Sequence, residues 1–378
     1  MLRGEMSPQN TSPCPGAERL ATRALTRREW LVAGAATLAS ACAARGAGRV
    51  ERGTGRSREV ETVTGRIPAD KLGVTLMHEH VLVDFGGAEI AGPHRYDAGN
   101  VFAVVLPHLR QLRTLGCDTL VECTPAYLGR DPALMERLSK ASGIQILSNT
   151  GYYGAANDKH LPRHAFRETA EQLAARWIRE HERGIDRSPV KPAFMKIGVD
   201  GAPLSDVDRT LVQAAAVTHR ETGLAIASHT GSGAAALEQL DLLEAARVPL
   251  SAFIWVHAQS ETDPAFHERV AARGAWVEFD GIAPATVERH VTLVRRMKDQ
   301  GTFGNVLVSH DAGWYRVGEP AGGRFRPYDT LFTAFLPALR ASGFADADVR
   351  QLLVANPRRA LGGGHEGSEL RGHGGHGG

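Results

Sequence analysis

Eight short apolar runs between residues 70 and 360 most constrain the fold of this chain. Polar or amphipathic stretches follow these runs, and five of the stretches have the periodicity of a helix. Strands that are apolar throughout are buried on both faces, as in parallel sheets covered by helices. The runs occupy residues 74–81, 119–124, 144–151, 193–199, 224–230, 253–258, 275–281 and 306–312, and the helical stretches residues 102–115, 169–183, 207–222, 234–246 and 285–300.

The repeated order of strand and helix predicts a (β/α)8 barrel, the TIM-barrel architecture. A doubly wound sheet usually has fewer strands and a glycine-rich phosphate turn after its first strand. No such turn follows residues 74–81. In a barrel, functional side chains stand at the C-terminal ends of the strands, so those ends are where a site is expected.

Side chains that can bind a metal stand near the ends of several predicted strands. His78 and His80 are separated by one residue, so strand alternation puts both on one face and turns Glu79 to the other. Three further side chains stand at the C-terminal ends of later predicted strands: His229, His257 and Asp311. The sequence therefore predicts a metal site at the C-terminal mouth of the barrel.

Lys196 lies inside the fourth apolar run, although the chain has only six lysines among its 44 basic residues. An ammonium group cannot ligate a metal and is costly to bury unpaired. A deprotonated lysine can react with carbon dioxide to form a carbamate, whose two oxygens can bridge two cations. The alternative is a core lysine that reaches the barrel mouth or pairs with a carboxylate. The surrounding strand-end ligands favour the carbamate.

These segments resemble the phosphotriesterase-like branch of the amidohydrolase superfamily. The resemblance extends over residues 61–361, and its motifs are His78-Glu79-His80, Lys196-Ile197-Gly198, Ser228-His229-Thr230 and Ser309-His310-Asp311. It implies a binuclear metal centre in which His78, His80 and Asp311 hold the more buried metal, His229 and His257 hold the other, and carbamylated Lys196 and a hydroxide bridge the two.

The resemblance also implies the chemistry. It points to a hydrolase of phosphotriester or of carboxylic ester and lactone bonds, in which the bridging hydroxide attacks and Asp311 accepts a proton. Zinc suits such ligands, and manganese, cobalt or iron would also fit. We expect Tyr152, Tyr153 and Trp314 to contact a small-molecule ester substrate. Two alternatives remain: a single-metal amidohydrolase acting on an amide or amine, and an exported binding protein without catalysis.

Three segments depart from the family pattern. Relatives usually have an acidic residue soon after the histidine of strand six, where this chain has Ala258 and Gln259. The usual Gly-Leu-Asp of strand seven is replaced by Glu278-Phe279-Asp280, without the arginine found in the lactonases. On strand two, Glu122 replaces the frequent aspartate. Lactone specificity therefore cannot be transferred directly.

The first 42 residues have the pattern of a twin-arginine signal peptide. Arg27 and Arg28 precede a small apolar run at residues 32–42 that is too short to span a bilayer stably. This pattern predicts export to the periplasm, with lipid anchoring at Cys42 as the minor alternative. Residues 43–57 are predicted to be a flexible linker, 58–361 the barrel, and 362–378 a disordered tail rich in glycine and histidine.

Composition excludes some partners. The formal net charge is +2, and no basic stripe interleaved with aromatic residues is present, so a nucleic-acid partner is not expected. No apolar run is long enough for a stable membrane span. A homodimer is compatible with these features.

Overall fold

The computed structural model describes residues 58–362. The predicted signal peptide, the linker and the tail beyond Gly362 lie outside the described residues. Export to the periplasm and lipid anchoring at Cys42 therefore stay predictions. Within the described part of the chain, no helix is long and apolar enough to cross a membrane.

The fold is the predicted (β/α)8 TIM barrel, preceded by an antiparallel hairpin of β1 (Glu59–Thr62) and β2 (Gly65–Pro68). Eight strand positions then follow one another along the chain, and parallel ladders join their neighbours. The strands are β3 (Thr75–Val83), β4 (Thr119–Glu122), β5 (Gln145–Leu147) with β6 (Asn149–Thr150), β7 (Phe194–Gly198), β8 (Ala225–His229), β9 (Phe253–Val256), β10 (Trp276–Phe279), and β11 (Val306–Val308) with β12 (Ala312–Arg316).

The ladders form two sheets, ordered β11-β10-β9-β8-β7-β6 and β12-β3-β4-β5. Ser148 alone separates β5 from β6, and residues 309–311 separate β11 from β12, so each sheet continues into the other along the chain. The backbone N–H of Ser309 donates to Phe279 on β10 at 3.2 Å, and that of Asp311 donates to His78 on β3 at 3.0 Å. The eighth strand position therefore contacts both sheets.

The helices cover the strands on their outer side. All five predicted helical stretches are confirmed, and the first begins earlier than predicted because the Asp97 side chain caps it by accepting from Asn100 N. The described residues form α1 (Ala98–Thr114), α2 (Pro132–Ser142), α3 (Ala170–Arg183), α4 (Asp206–Thr222), α5 (Gly233–Ala245), α6 (Pro264–Ala272), α7 (Val287–Asp299), α8 (Leu336–Ala341), α9 (Asp346–Arg350) and α10 (Asn356–Leu361).

The β1–β2 hairpin and β12 were not predicted. β12 continues the eighth strand beyond Asp311 and pairs with the end of β3, with Gly313 opposite His80. Gly313 has a φ of +93°, and a Cβ there would lie 1.8 Å from the His80 carbonyl oxygen. Because any side chain would collide with this carbonyl, glycine permits the close approach of the two strands behind the metal-ligand candidates.

The apolar core fills the barrel below those candidates. Side chains from all around the sheet contribute to it, among them Met77, Val121, Leu147, Phe194, Ala225, Ile254, Trp276 and Leu307. This packing supports the strand ends on which the polar side chains stand.

Candidate metal centre

His78, His80 and Asp311 come together at the mouth of the barrel. The Nε2 atoms of His78 and His80 are 3.2 Å apart. Asp311 Oδ1 lies 3.0 Å from His80 Nε2 and 3.7 Å from His78 Nε2. Two imidazole nitrogens and a carboxylate oxygen at these distances can bind one divalent cation.

His229 and His257 form a second group beside the first. His229 ends β8 and His257 follows β9, and their ring centroids are 4.3 Å apart. The His257 ring is 5.0 Å from the His78 ring, so the two groups adjoin. The Tyr153 hydroxyl lies 3.1 Å and 3.3 Å from the two ring nitrogens of His229.

Lys196 lies on β7, two residues before Gly198, which pairs with His229 on β8. The side chain is buried, and Nζ is 5.9 Å from the centroid of the Tyr153 ring. Burial lowers the pKa of Lys196, although Asp280, Glu278 and Asp311 partly oppose the shift. A lowered pKa favours the neutral amine, which is the form that reacts with carbon dioxide.

Asp280 is a further candidate residue of this site, and its position beside the imidazoles was not predicted from the sequence. His257 Nδ1 donates to Asp280 Oδ1 at 2.7 Å, and His78 Nδ1 lies 3.1 Å from Oδ2. A carboxylate that accepts from Nδ1 of His257 and lies beside Nδ1 of His78 leaves both Nε2 atoms for a metal. The donor atoms of these three residues could also surround a cation directly. The hydrogen-bonding role fits better, since Asp280 also accepts from His257 N and from Gln259.

Glu278 adds a second buried carboxylate below the site. Its Oε2 lies 3.9 Å from His78 Nδ1, and burial raises its pKa to about 7. Burial lowers the pKa of His78, but Asp280 and Glu278 outweigh this effect and raise it to about 10. The surroundings of His78 therefore favour positive charge, as a cation-binding site requires. The Glu278-Phe279-Asp280 alternation was the signal in the sequence, since it puts both carboxylates on one face of β10.

Two overlapping groups at the mouth could each hold a cation: His78, His80 and Asp311, and His78, His257 and Asp280. The backbone is strained at three positions of the site: φ is 65° at His257, 53° at Asp311 and 72° at Trp314. Such values are uncommon outside glycine and cluster at functional sites. Glu79 lies on the other face of β3, as predicted, and accepts from His310 Nδ1 at 2.6 Å.

The residues predicted to contact a substrate lie in different places. Trp314 and Tyr153 are at the mouth: the Trp314 ring is 5.5 Å from the His80 ring, and Tyr153 contacts His229. The neighbouring Tyr152 instead donates or accepts at His164 Nε2, 3.0 Å away, and packs against Trp177. Tyr152 therefore contributes to the packing around His164 and Trp177 rather than to the group of metal-ligand candidates.

The loop after the eighth strand is anchored to the candidate ligands. Arg326 Nη1 donates to the Asp311 carbonyl at 2.7 Å, and the Tyr328 hydroxyl donates to the His80 carbonyl at 2.7 Å. Gly313 and Arg326 also exchange two backbone hydrogen bonds of 2.9 Å. These bonds hold the backbone of two candidate ligands in place.

A model of the phosphotriesterase family matches residues 58–361. The chain belongs to the phosphotriesterase family. The phosphotriesterase homology protein of Escherichia coli K12 is 32% identical over 292 residues, covering 76% of this chain and 97% of its own length. A phospho-furanose lactonase of Mycoplasmopsis synoviae is 27% identical, covering 79% of this chain and 90% of its own.

Solved structures of similar proteins agree with the fold. An organophosphorus hydrolase from Deinococcus radiodurans is 28% identical and aligns with a TM-score of 0.73, covering 81% of this chain and 98% of its own. This match supports the barrel fold of the chain.

Proposed function

We propose that this protein is a metal-dependent hydrolase of ester bonds with a binuclear centre. The observation that carries the proposal is the convergence of His78, His80 and Asp311 within 3.7 Å of one another, directly beside His229 and His257. Family membership supports hydrolysis, since its members include an organophosphorus hydrolase and a lactonase.

The proposed centre uses the chain's own donors. His78, His80 and Asp311 would hold one cation, and His229 and His257 the other. Lys196 would bridge them after its neutral Nζ forms a bond to the carbon of carbon dioxide and loses one proton to solvent. When bound, two such cations would lower the pKa of a water molecule and polarise the scissile phosphoryl or carbonyl group.

Asp311 is the proposed proton acceptor. Burial raises its pKa, but the hydrogen bond from His80 and the charges of His78 and His80 lower it overall, so the carboxylate is ionised at neutral pH. Its side chain is 23% exposed, more than those of the two histidines beside it, and therefore reaches the open mouth. Tyr153 lies at the same mouth, and we propose that its hydroxyl orients the substrate.

The proposed substrates are phosphotriesters, or carboxylic esters and lactones. Both classes present an electrophilic centre with an adjacent oxygen that a cation can polarise. The relatives support both classes, because one is an organophosphorus hydrolase and another a phospho-furanose lactonase.

Elemental analysis and a Lys196→Ala variant test the metal centre. We expect about two divalent metals, zinc or else manganese, cobalt or iron, in each native chain. The variant should lose both metal and activity, and short carboxylic acids should partly restore them by replacing the carbamate. Lys140→Ala is a matched control, because Lys140 is exposed and pairs with Glu136. Undiminished activity in Lys196→Ala would exclude a bridging role for this lysine.

A substrate panel tests the reaction. The metal-loaded protein should hydrolyse at least one member of a panel of phosphotriesters, lactones and aryl esters. Turnover of N-acyl amides alone would contradict ester hydrolysis and favour the amidohydrolase alternative. No turnover by a protein that holds two metals would favour a binding protein.

A further inference from the structure

His80 has a buried hydrogen-bond partner on the side of its ring away from the other candidate ligands. Its Nδ1 lies 2.7 Å from the hydroxyl oxygen of Thr124, which follows β4. Both side chains are buried. The direction of this hydrogen bond decides which nitrogen of His80 carries a proton.

The single hydroxyl hydrogen of Thr124 fixes that direction. Two acceptors compete for it: Glu122 Oε1 at 2.5 Å and the Leu82 carbonyl oxygen at 3.1 Å. The carboxylate is closer and charged, so it forms the stronger bond. Once Thr124 donates to Glu122, its oxygen can only accept from His80. Nδ1 of His80 must therefore be the donor, and Nε2 keeps its lone pair.

Glu122 is held rigidly enough to keep this arrangement. Its carboxylate accepts from the backbone N–H of Val81 at 3.1 Å and of Thr124 at 3.2 Å. Asn149 Nδ2 donates to the carbonyls of Glu122 and Thr124 at 2.9 Å and 3.0 Å, which fixes the end of the strand. Burial raises the pKa of Glu122 to about 7, so the carboxylate is ionised in mildly alkaline buffer.

We propose that Glu122 and Thr124 are positioning residues that hold His80 in the tautomer with Nδ1 protonated and Nε2 free. This relay presents the correct nitrogen to a cation at the group of His78, His80 and Asp311. The inference rests on the proposed metal centre and adds to it the hydrogen bonds that leave Nε2 of His80 free to bind a cation.

The test compares three variants loaded with zinc at about pH 8, where Glu122 is ionised. Thr124→Val keeps the shape of the side chain but removes the hydroxyl. Thr124→Ser keeps the hydroxyl. Thr119→Val is the matched control, because Thr119 is a buried threonine on the same strand whose hydroxyl donates to the Leu72 carbonyl instead. Zinc retained against a competing chelator is measured by elemental analysis, and folding by thermal unfolding.

We expect Thr124→Val to bind one of its two zinc ions roughly 10- to 100-fold more weakly, the usual effect of losing a hydrogen-bond partner of a metal-bound histidine. Thr124→Ser should bind within about threefold of the native protein. The inference is overturned if folded Thr124→Val retains both ions as tightly as the native protein, if folded Thr124→Ser is as weak as Thr124→Val, or if Thr119→Val is equally weak.

The same experiment separates this inference from the proposed function. A native protein that holds fewer than two zinc ions contradicts the binuclear centre itself. A native protein with two zinc ions and an unaffected Thr124→Val contradicts only the relay. A further readout does not need metal: the ¹⁵N spectrum of histidine-labelled, metal-free protein should lose one Nδ1-protonated ring in Thr124→Val and regain it in Thr124→Ser.

Discussion

Replacing Asp280 by asparagine should weaken one of the two proposed cations selectively. The carboxylate accepts three hydrogen bonds, from Nδ1 and N of His257 and from Nε2 of Gln259, and its Oδ2 lies 3.1 Å from Nδ1 of His78. An asparagine has one oxygen, which accepts two hydrogen bonds, and an amino group that only donates. Either orientation of the amide therefore leaves one imidazole facing a donor.

The expected loss of metal affinity follows from the acceptors that the imidazoles lose. If the amide oxygen takes the place of Oδ1, His257 Nδ1 and Gln259 keep their acceptor, whereas the His257 backbone N–H loses its own and His78 Nδ1 faces the amino group. In the other orientation His257 Nδ1 and Gln259 lose their acceptor. A hydrogen bond to a charged group contributes about 1.5–3 kcal/mol. At 1.4 kcal/mol for each factor of ten, one cation should bind roughly 10- to 100-fold more weakly.

The assay is a chelator titration of zinc-loaded protein, followed by elemental analysis at each step. Asp241→Asn is the control, because Asp241 is exposed and pairs with Arg273 on the surface. Two zinc ions held by Asp280→Asn within about threefold of the native affinity would refute the reasoning, since the role of Asp280 would then not be to orient the imidazoles.

Three further variants test other parts of the structure. Gly313→Ala should lower the free energy of unfolding by about 2–4 kcal/mol in urea titrations because its Cβ would collide with the His80 carbonyl, whereas Gly301→Ala, also at positive φ but in open space, should cost about 1 kcal/mol. Burial lowers the pKa of His267 below the ordinary value of 6.5, so its contribution to stability is present above pH 6.5 and lost as the pH falls through the lowered value. The free energy of unfolding should therefore drop between about pH 7.5 and about pH 5.5, and it should drop less in His267→Gln. An identical drop in the variant would show that His267 does not cause this pH dependence. Tyr153→Phe should raise KM more than it lowers kcat on any ester that is turned over, and unchanged KM would exclude a substrate contact through the hydroxyl.

Much of the barrel was predictable because two periodicities are visible in the chain. Eight apolar runs of strand length are separated by polar or amphipathic stretches, five of which have the periodicity of a helix, and this order indicates parallel pairing. The candidate ligands were predictable for the same reason. His78 and His80 share a face because side chains alternate along a strand, and the barrel brings strand ends from distant parts of the chain to one mouth.

Contacts that depend on the exact position of neighbouring strands were not predictable. Asp280 supports two imidazoles only because β10 lies beside β9 and its carboxylate reaches across to β3, and no local pattern records that distance. Tyr152 and Tyr153 are adjacent and chemically identical, yet Tyr152 packs against Trp177 whereas the Tyr153 hydroxyl contacts His229. The burial of His267 likewise depends on a tertiary contact, because its Nε2 bonds the Ala258 carbonyl at 2.7 Å and so satisfies the polar ring.

The buried charges explain why a lysine, rather than another carboxylate, suits position 196. Glu278 and Asp280 already place negative charge below the site, and Glu278 has a pKa of about 7 because burial penalises its ionised form. A third carboxylate on β7 would be costly before any cation is bound. A lysine with a lowered pKa avoids that cost, since it is neutral or cationic without metal and becomes negative only when carbon dioxide is added. In the proposed centre the negative charge at position 196 would therefore arise only on reaction with carbon dioxide, and Nζ would otherwise stay neutral or cationic beside Glu278 and Asp280.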